Sequence, residues 1–166
     1  MKHIIKGMLI FLALILQNTF ASHIEILGAT PSVIIVLMVA FAINSDSVYE
    51  SITYAAVCGA LCDLYWGRVF GLYTILMVYA GVAVYYADEY IYKRSVVKAA
   101  VITFLCSVII ESVFFAASFS LFGEGRFFYT FFRTIVPAGA YNAILQAVLY
   151  AGITKITTFK KESETA

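Results

Sequence analysis

The sequence predicts an all-α integral membrane protein with six transmembrane helices, and three observations lead there. First, 63% of the 166 residues are apolar and 13% are charged, with a mean hydropathy of +0.93. A water-soluble domain keeps about a quarter of its residues charged, so this chain lacks the polar side chains to cover a soluble surface. Second, apolar runs recur along the whole chain with short polar breaks between them. A spanning helix needs about 20 such residues, which allows about six spans and leaves no room for a soluble domain of ordinary size. Third, the eleven Lys and Arg residues are unevenly shared. With both termini in the cytoplasm, Lys2, Lys6, Lys93, Arg94, Lys98, Lys155, Lys160 and Lys161 lie inside, and only Arg68, Arg126 and Arg133 lie outside. That is the positive-inside bias of a membrane protein.

The first run extends from Ile4 to Ser22 and closes on Gln17 and Asn18. Its basic start and short apolar stretch are shared with secretory signal peptides, but it is read as a retained span. The second run, Pro31 to Ile43, is short and needs residues Ile26 to Asn44 to cross a bilayer. Pro31 suits a first helical turn, where its missing N–H costs nothing. The third run is Val48 to Trp66, and a break at Trp66-Gly67-Arg68 leads to the fourth, Val69 to Tyr86. A charged patch from Asp88 to Lys98 precedes and overlaps the fifth and longest run, Val96 to Phe122. After Gly123-Glu124-Gly125-Arg126 come the aromatic stretch Phe127 to Phe132 and the sixth run, Thr134 to Ile153. The chain therefore divides into a membrane domain over 1–154 and a polar cytoplasmic tail over 155–166.

Several function classes drop out. A net charge of +1 points to no polyanionic partner such as nucleic acid. No phosphate-binding glycine loop, His–Glu zinc motif or nucleophile elbow is present, so neither enzymatic activity nor a cofactor is expected. Cys58 and Cys62 share a helical face, but no His or further Cys lies near them, and zinc needs three or four such ligands. They are read as small packing residues, and no metal is expected.

Two acids lie deep in apolar runs, Asp63 in the third and Glu111 in the fifth. Each is 15 residues from the inner end of its run, about 22 Å at 1.5 Å per residue, so both belong to the outer half. An acid at such a depth faces protein or water, not lipid. Gln17, Asn18, Arg133 and Asn142 reach the same level, with Gln146 one turn below Asn142. An outer-half cluster of Gln17, Asn18, Asp63, Glu111, Arg133 and Asn142 is therefore expected. Arg133 is the first candidate counter-charge for either acid and Arg68 the second. The face carrying Asp63 reads Ala55, Gly59, Asp63, Gly67, Gly71 at spacing four; small residues let membrane helices approach closely. Such a face suits either a tight helix contact, with Asp63 neutralised inside it, or a ligand or partner site. Bulky side chains with no evident need of an interior position, namely Met38, Val39 and Phe41 on the second helix and Phe114, Phe115 and Phe119 on the fifth, are expected to face lipid or a partner, as is Val36. The outer rings Phe128, Tyr129 and Phe131 suit a docking ledge at the membrane surface.

Taken together, Gln17-Asn18 closing the first helix, Pro31 opening the second, Gly59-x-x-x-Asp63-x-x-x-Gly67-x-x-x-Gly71 across the third and fourth, and Asn142 in the last resemble the rod shape-determining protein MreD family, over essentially the whole chain. The resemblance implies a multi-pass protein of the bacterial inner membrane and a scaffold or regulatory subunit of the cell-elongation machinery. It implies binding to the bitopic protein MreC, and through it to MreB and the RodA–transpeptidase pair that builds lateral peptidoglycan. It also implies a fold similar to the substrate-binding subunits of energy-coupling-factor vitamin transporters. That similarity supplies the alternative function, a vitamin-capturing membrane subunit. By position, Pro31, Gly59, Gly67 and Gly71 would serve helix packing.

Overall fold

The computed structural model describes the backbone of residues 2–20, 30–66, 69–90, 95–122 and 127–163, and the side chains of 6–19, 30–65, 69–90, 95–120 and 129–150. Among the described residues the regular elements are all helices, with no strand: α1 (Lys2–Phe20), α2 (Val33–Ile43), α3 (Val48–Trp66), α4 (Leu72–Tyr90), α5 (Val96–Phe122), and a last body in which α6 (Phe127–Thr130), a π-helical turn (Phe131–Ile135) and α7 (Val136–Ser163) follow without a break.

Helix α2 is the centre of the bundle. Its sequence, VIIVLMVAFAI, is apolar on every side, and nine of its eleven residues are buried. A helix without a polar face is buried in protein or in lipid, and here it is protein: α2 packs against α1, α3, α4, α5 and α7. Eleven residues rise about 16 Å, about half the hydrocarbon thickness of a bilayer, so α2 itself does not cross one. Thr30 to Ser32 are not helical, and 26–29 of the expected span lie outside the described residues. Met38, Val39 and Phe41 are therefore core residues, as is Val36, and the expectation that they face lipid is corrected. Pro31 is corrected too: it precedes Ser32, the N-cap, and stands outside the first helical turn.

Two antiparallel pairs flank this hub. In α3 and α4, Ser51 Oγ donates to the Gly81 carbonyl at 2.9 Å, and Gly59 lies against Thr74, where an added Cβ would stand 2.5 Å from the Thr74 Cα. In α5 and α7, Asn142 Nδ2 donates to Ser107 Oγ at 3.0 Å, and a Cβ on Gly139 would meet Val108 at 2.9 Å. Glycine at these crossings lets the helices approach closely. Gly71 differs: it has φ +90° with open space around its Cα. It is a turn residue before α4, chosen for a backbone region that side chains disfavour, and its expected packing role is corrected. Gly67 lies outside the described residues.

The last body starts at Phe127, not Thr134, so the aromatic stretch is its first turns. Pro137 explains the π turn. It has no N–H to give the carbonyl four residues back, and its ring crowds that position. The Val136 N–H instead reaches the Phe131 carbonyl, five residues back. At the other end the helix continues to Ser163, through most of the polar tail.

Within a mostly apolar core the bundle encloses several polar side chains, while its outside is apolar. Ser51, Asp63, Thr103, Ser107, Asn142 and Gln146 are buried, whereas Leu64, Ile109, Ile144 and Val148 are each about 60% exposed or more. A soluble domain of this size does not leave so many large apolar side chains in water. Among the described residues, Val96–Ser120 within α5 is the one helix long and apolar enough to cross a bilayer; Lys6–Thr19 and Val33–Ile43 are apolar but shorter. One end of the bundle holds two ion pairs, Lys6–Glu50 at 2.7 Å and Lys98–Asp88 at 2.8 Å. The Lys6 ammonium also lies 4.6 Å from the centre of the Tyr54 ring.

Candidate functional site

At the opposite end the helices α2 and α4 begin, and neither caps its own N-terminus. The first N–H groups of a helix have no partner within it and are costly to leave bare away from water. For α4, the residue before the helix is Gly71, which has no side chain to offer. Asp63 of α3 takes its place. Its Oδ1 accepts from the Tyr73 N–H at 3.0 Å, and its Oδ2 from the Thr74 N–H at 2.9 Å and the Thr74 hydroxyl at 2.6 Å. These are the second and third residues of α4, the N–H groups that a capping side chain normally serves. Gly59, one turn before Asp63, allows the close approach this requires.

For α2, Ser32 makes no capping bond with its own side chain. Gln17 Oε1 of α1 accepts from the Ile34 N–H at 3.1 Å, and Asn142 Oδ1 of α7 accepts from the Ser32 N–H at 2.7 Å. With Asn142 also donating to Ser107, α1, α2, α5 and α7 are tied through one chain of amides and hydroxyls.

Between these two capped ends lies a cavity of about 230 Å³. Gln17, Thr30 and Ser32 line it from the α2 side, Cys62 and Tyr73 from the α3–α4 side, and Glu111 and Phe114 from α5. The Tyr73 and Phe114 rings stack with centroids 4.1 Å apart, so Phe114 is a wall of the cavity and not the lipid-facing residue expected. Among the described residues nothing forms a hydrogen bond or ion pair with the Glu111 carboxylate.

Of the six expected outer-half residues, Gln17, Asp63, Glu111 and Asn142 stand around this cavity or cap the helix ends that border it. Asn18 is exposed on α1. Arg133 is exposed, donates to the Tyr129 hydroxyl and lies over that ring, 5.2 Å from its centre. It is the counter-charge of neither acid: it is held on Tyr129, away from Glu111, and Asp63 is already satisfied by two backbone N–H groups and the Thr74 hydroxyl. Arg68 lies outside the described residues. Gln146 is fully buried one turn beyond Asn142, and its side-chain amide finds no partner among them. Sequence reasoning missed Ser32, Tyr73, Thr74 and Ser107. The available signal was the short second run, since a helix buried on all sides has to receive its caps from neighbours. Of the docking residues, Tyr129 is 57% exposed and Phe131 partly buried; the Phe128 side chain lies outside the described residues.

The comparison with protein families decides the identity: residues 2–159 match the family of the rod shape-determining protein MreD. The chain belongs to the MreD family. No curated protein and no solved structure matches it, so the expected likeness to vitamin-transporter subunits finds no support there. Membership in MreD makes this a membrane protein of rod-shape determination, and the inward polar residues and outward apolar ones are those such a protein requires.

Proposed function

We propose that this chain is a scaffold or regulatory subunit of the bacterial cell-elongation complex, crossing the inner membrane six times with both termini in the cytoplasm. In this reading it binds an MreC-like bitopic protein, and through it MreB and the RodA–transpeptidase pair, and so helps direct lateral peptidoglycan synthesis. The family match carries the reading. The distribution of surface supports it: the outer faces of α5 and α7 present Val97, Val101, Ile109, Ile144 and Val148 to the surroundings, a broad apolar area that a partner's membrane helix can cover. At the far end, Tyr129 and Phe132 are exposed on the last helix, where aromatic rings favour the interface and can meet the periplasmic part of a partner.

The test is a deletion strain with a complementing copy. Loss of the protein is expected to give rounded, osmotically fragile cells with misplaced wall synthesis. Replacing Phe128, Tyr129 and Phe131 together with alanine should weaken co-purification of the MreC-like partner while the protein still inserts and melts normally. Rescue of the deletion by a vitamin at high concentration, with normal cell shape throughout, would overturn the scaffold reading.

A further inference from the structure

The cavity between the two capped helix ends has a chemistry of its own. Two helix N-termini beside one cavity would ordinarily favour an anion. Here four of the N–H groups at these helix starts are already taken: those of Tyr73 and Thr74 by Asp63, that of Ile34 by Gln17, and that of Ser32 by Asn142. The one charge that the lining can carry is negative, and several other lining groups can accept. When ionised, Glu111 only accepts; the Thr30 and Ser32 hydroxyls can accept as well as donate, with Ser32 Oγ already accepting from Gln17 Nε2 at 3.5 Å, and the Gln17 carbonyl has a second lone pair. The stacked Tyr73–Phe114 pair adds π faces that attract cations.

Three other acids of the bundle are matched. Glu50 pairs with Lys6, Asp88 with Lys98, and Asp63 with backbone donors. Glu111 is not, and among the described residues no Lys or Arg reaches it; Arg133 is held out on Tyr129. A carboxylate placed in the interior of a membrane bundle needs a partner. At about 30 Å³ per water molecule in the liquid, the space of about 230 Å³ holds more than one or two trapped waters. It is the size of a small head group with a short stem.

We propose that this cavity binds a cationic nitrogen group, an ammonium or guanidinium, with Glu111 as its counter-charge and the Tyr73–Phe114 pair as its aromatic wall. The group comes either from a free small amine or from a basic side chain of a membrane partner. The inference goes beyond the scaffold reading and does not depend on it.

The test uses the full-length protein in mild detergent, titrated with butylammonium and ethylguanidinium, with butanol and butyrate as controls. Binding is read by calorimetry and by thermal unfolding. The cations should bind saturably and raise the melting temperature, and the two controls should do neither. Glu111→Gln keeps the shape and removes the charge, and should bind at least about tenfold more weakly, the loss expected for a charge-assisted hydrogen bond. Phe114→Leu, which removes a ring and leaves the acid, should also weaken binding and serves if the first variant misfolds. Absence of saturable cation binding, or equal binding by Glu111→Gln, overturns the proposal. Binding that appears only in Arg68→Gln also overturns it, because the cation would then be the chain's own. Where the cations bind, their effect on a co-purified partner separates the sources: displacement assigns the group to a partner side chain, and an undisturbed complex assigns it to a free amine.

Discussion

Asp63 shows how one side chain can be indispensable without being reactive. Its two oxygens serve two backbone N–H groups and one hydroxyl, and the residue is 3% exposed. Asp63→Leu would leave those donors bare in a dry site, at about 1–3 kcal/mol for each group. Asp63→Asn keeps one acceptor oxygen and should cost about the loss of a single cap, ~1 kcal/mol. Thermal melts in mild detergent should therefore rank wild type, Asn and Leu in that order; equal melting of Asn and Leu would show that the capping bonds contribute nothing. Gly59→Ala puts a methyl group 2.5 Å from the Thr74 Cα, and backbone cannot yield as a side chain does. It should destabilise by about 1–3 kcal/mol, whereas Ile75→Ala, on the exposed face of α4, should cost far less. Gly71→Ala meets no neighbour but is strained by its φ of +90°, and about 1–3 kcal/mol is expected there too.

At the scale of elements, α2 depends on its neighbours at its N-terminal end and on itself at the other. Asn44 Nδ2 and Ser45 Oγ cap its last carbonyls locally, bonding the carbonyls of Ala40 at 2.8 Å and Phe41 at 2.7 Å. Its first N–H groups are served by Gln17 and Asn142 across the bundle. Gln17→Leu and Asn142→Leu should each cost about 1–3 kcal/mol. Because both act on one helix end, the double variant should depart from the sum of the two. Strict additivity in a double-mutant cycle would mean that the two amides do not act as a unit. Helix α3 begins more independently: Ser47 Oγ accepts from the Glu50 N–H at 3.3 Å, and Glu50 Oε2 accepts from the Asp46 N–H at 3.0 Å, a close relative of the capping box. Glu50 also holds Lys6, which ties the start of α1 to the start of α3.

For the whole molecule, the two ion pairs at one end and the capped helix starts with the cavity at the other make the bundle polar along its length. The end with the two ion pairs is the one the Lys and Arg distribution assigns to the cytoplasm. A reporter fused after Lys161 should therefore be active only in its cytoplasmic form, and activity of the periplasmic form would reverse the proposed orientation. A partner helix lying along α5 and α7 should protect Ile109 and Ile144. Cysteines introduced there should be labelled in the isolated protein by a membrane-permeant thiol reagent and shielded in the complex; equal labelling would exclude this face as the contact.

The sequence by itself determined the class of protein and where along the chain most helices lie, because apolar content and run length are written in the order of residues. Val48–Trp66 and Val96–Phe122 were legible to the residue, and a scarcity of charge sufficed to exclude a soluble domain. That Gln17, Asp63, Glu111 and Asn142 share a level along the bundle was legible as well, since rise per residue converts position into height. Tertiary structure decided what lies beside what. The second run looks like a short span in sequence, and only its enclosure by five helices makes it a buried hub. Asp63 looks like an acid in want of an arginine, and only the turn at Gly71, which aims the start of α4 at it, reveals two N–H groups as its partners. Arg133 stands at the right height and on the wrong face. Height is a one-dimensional property that the order of residues records, whereas lateral neighbours depend on the rotation and packing of every helix at once.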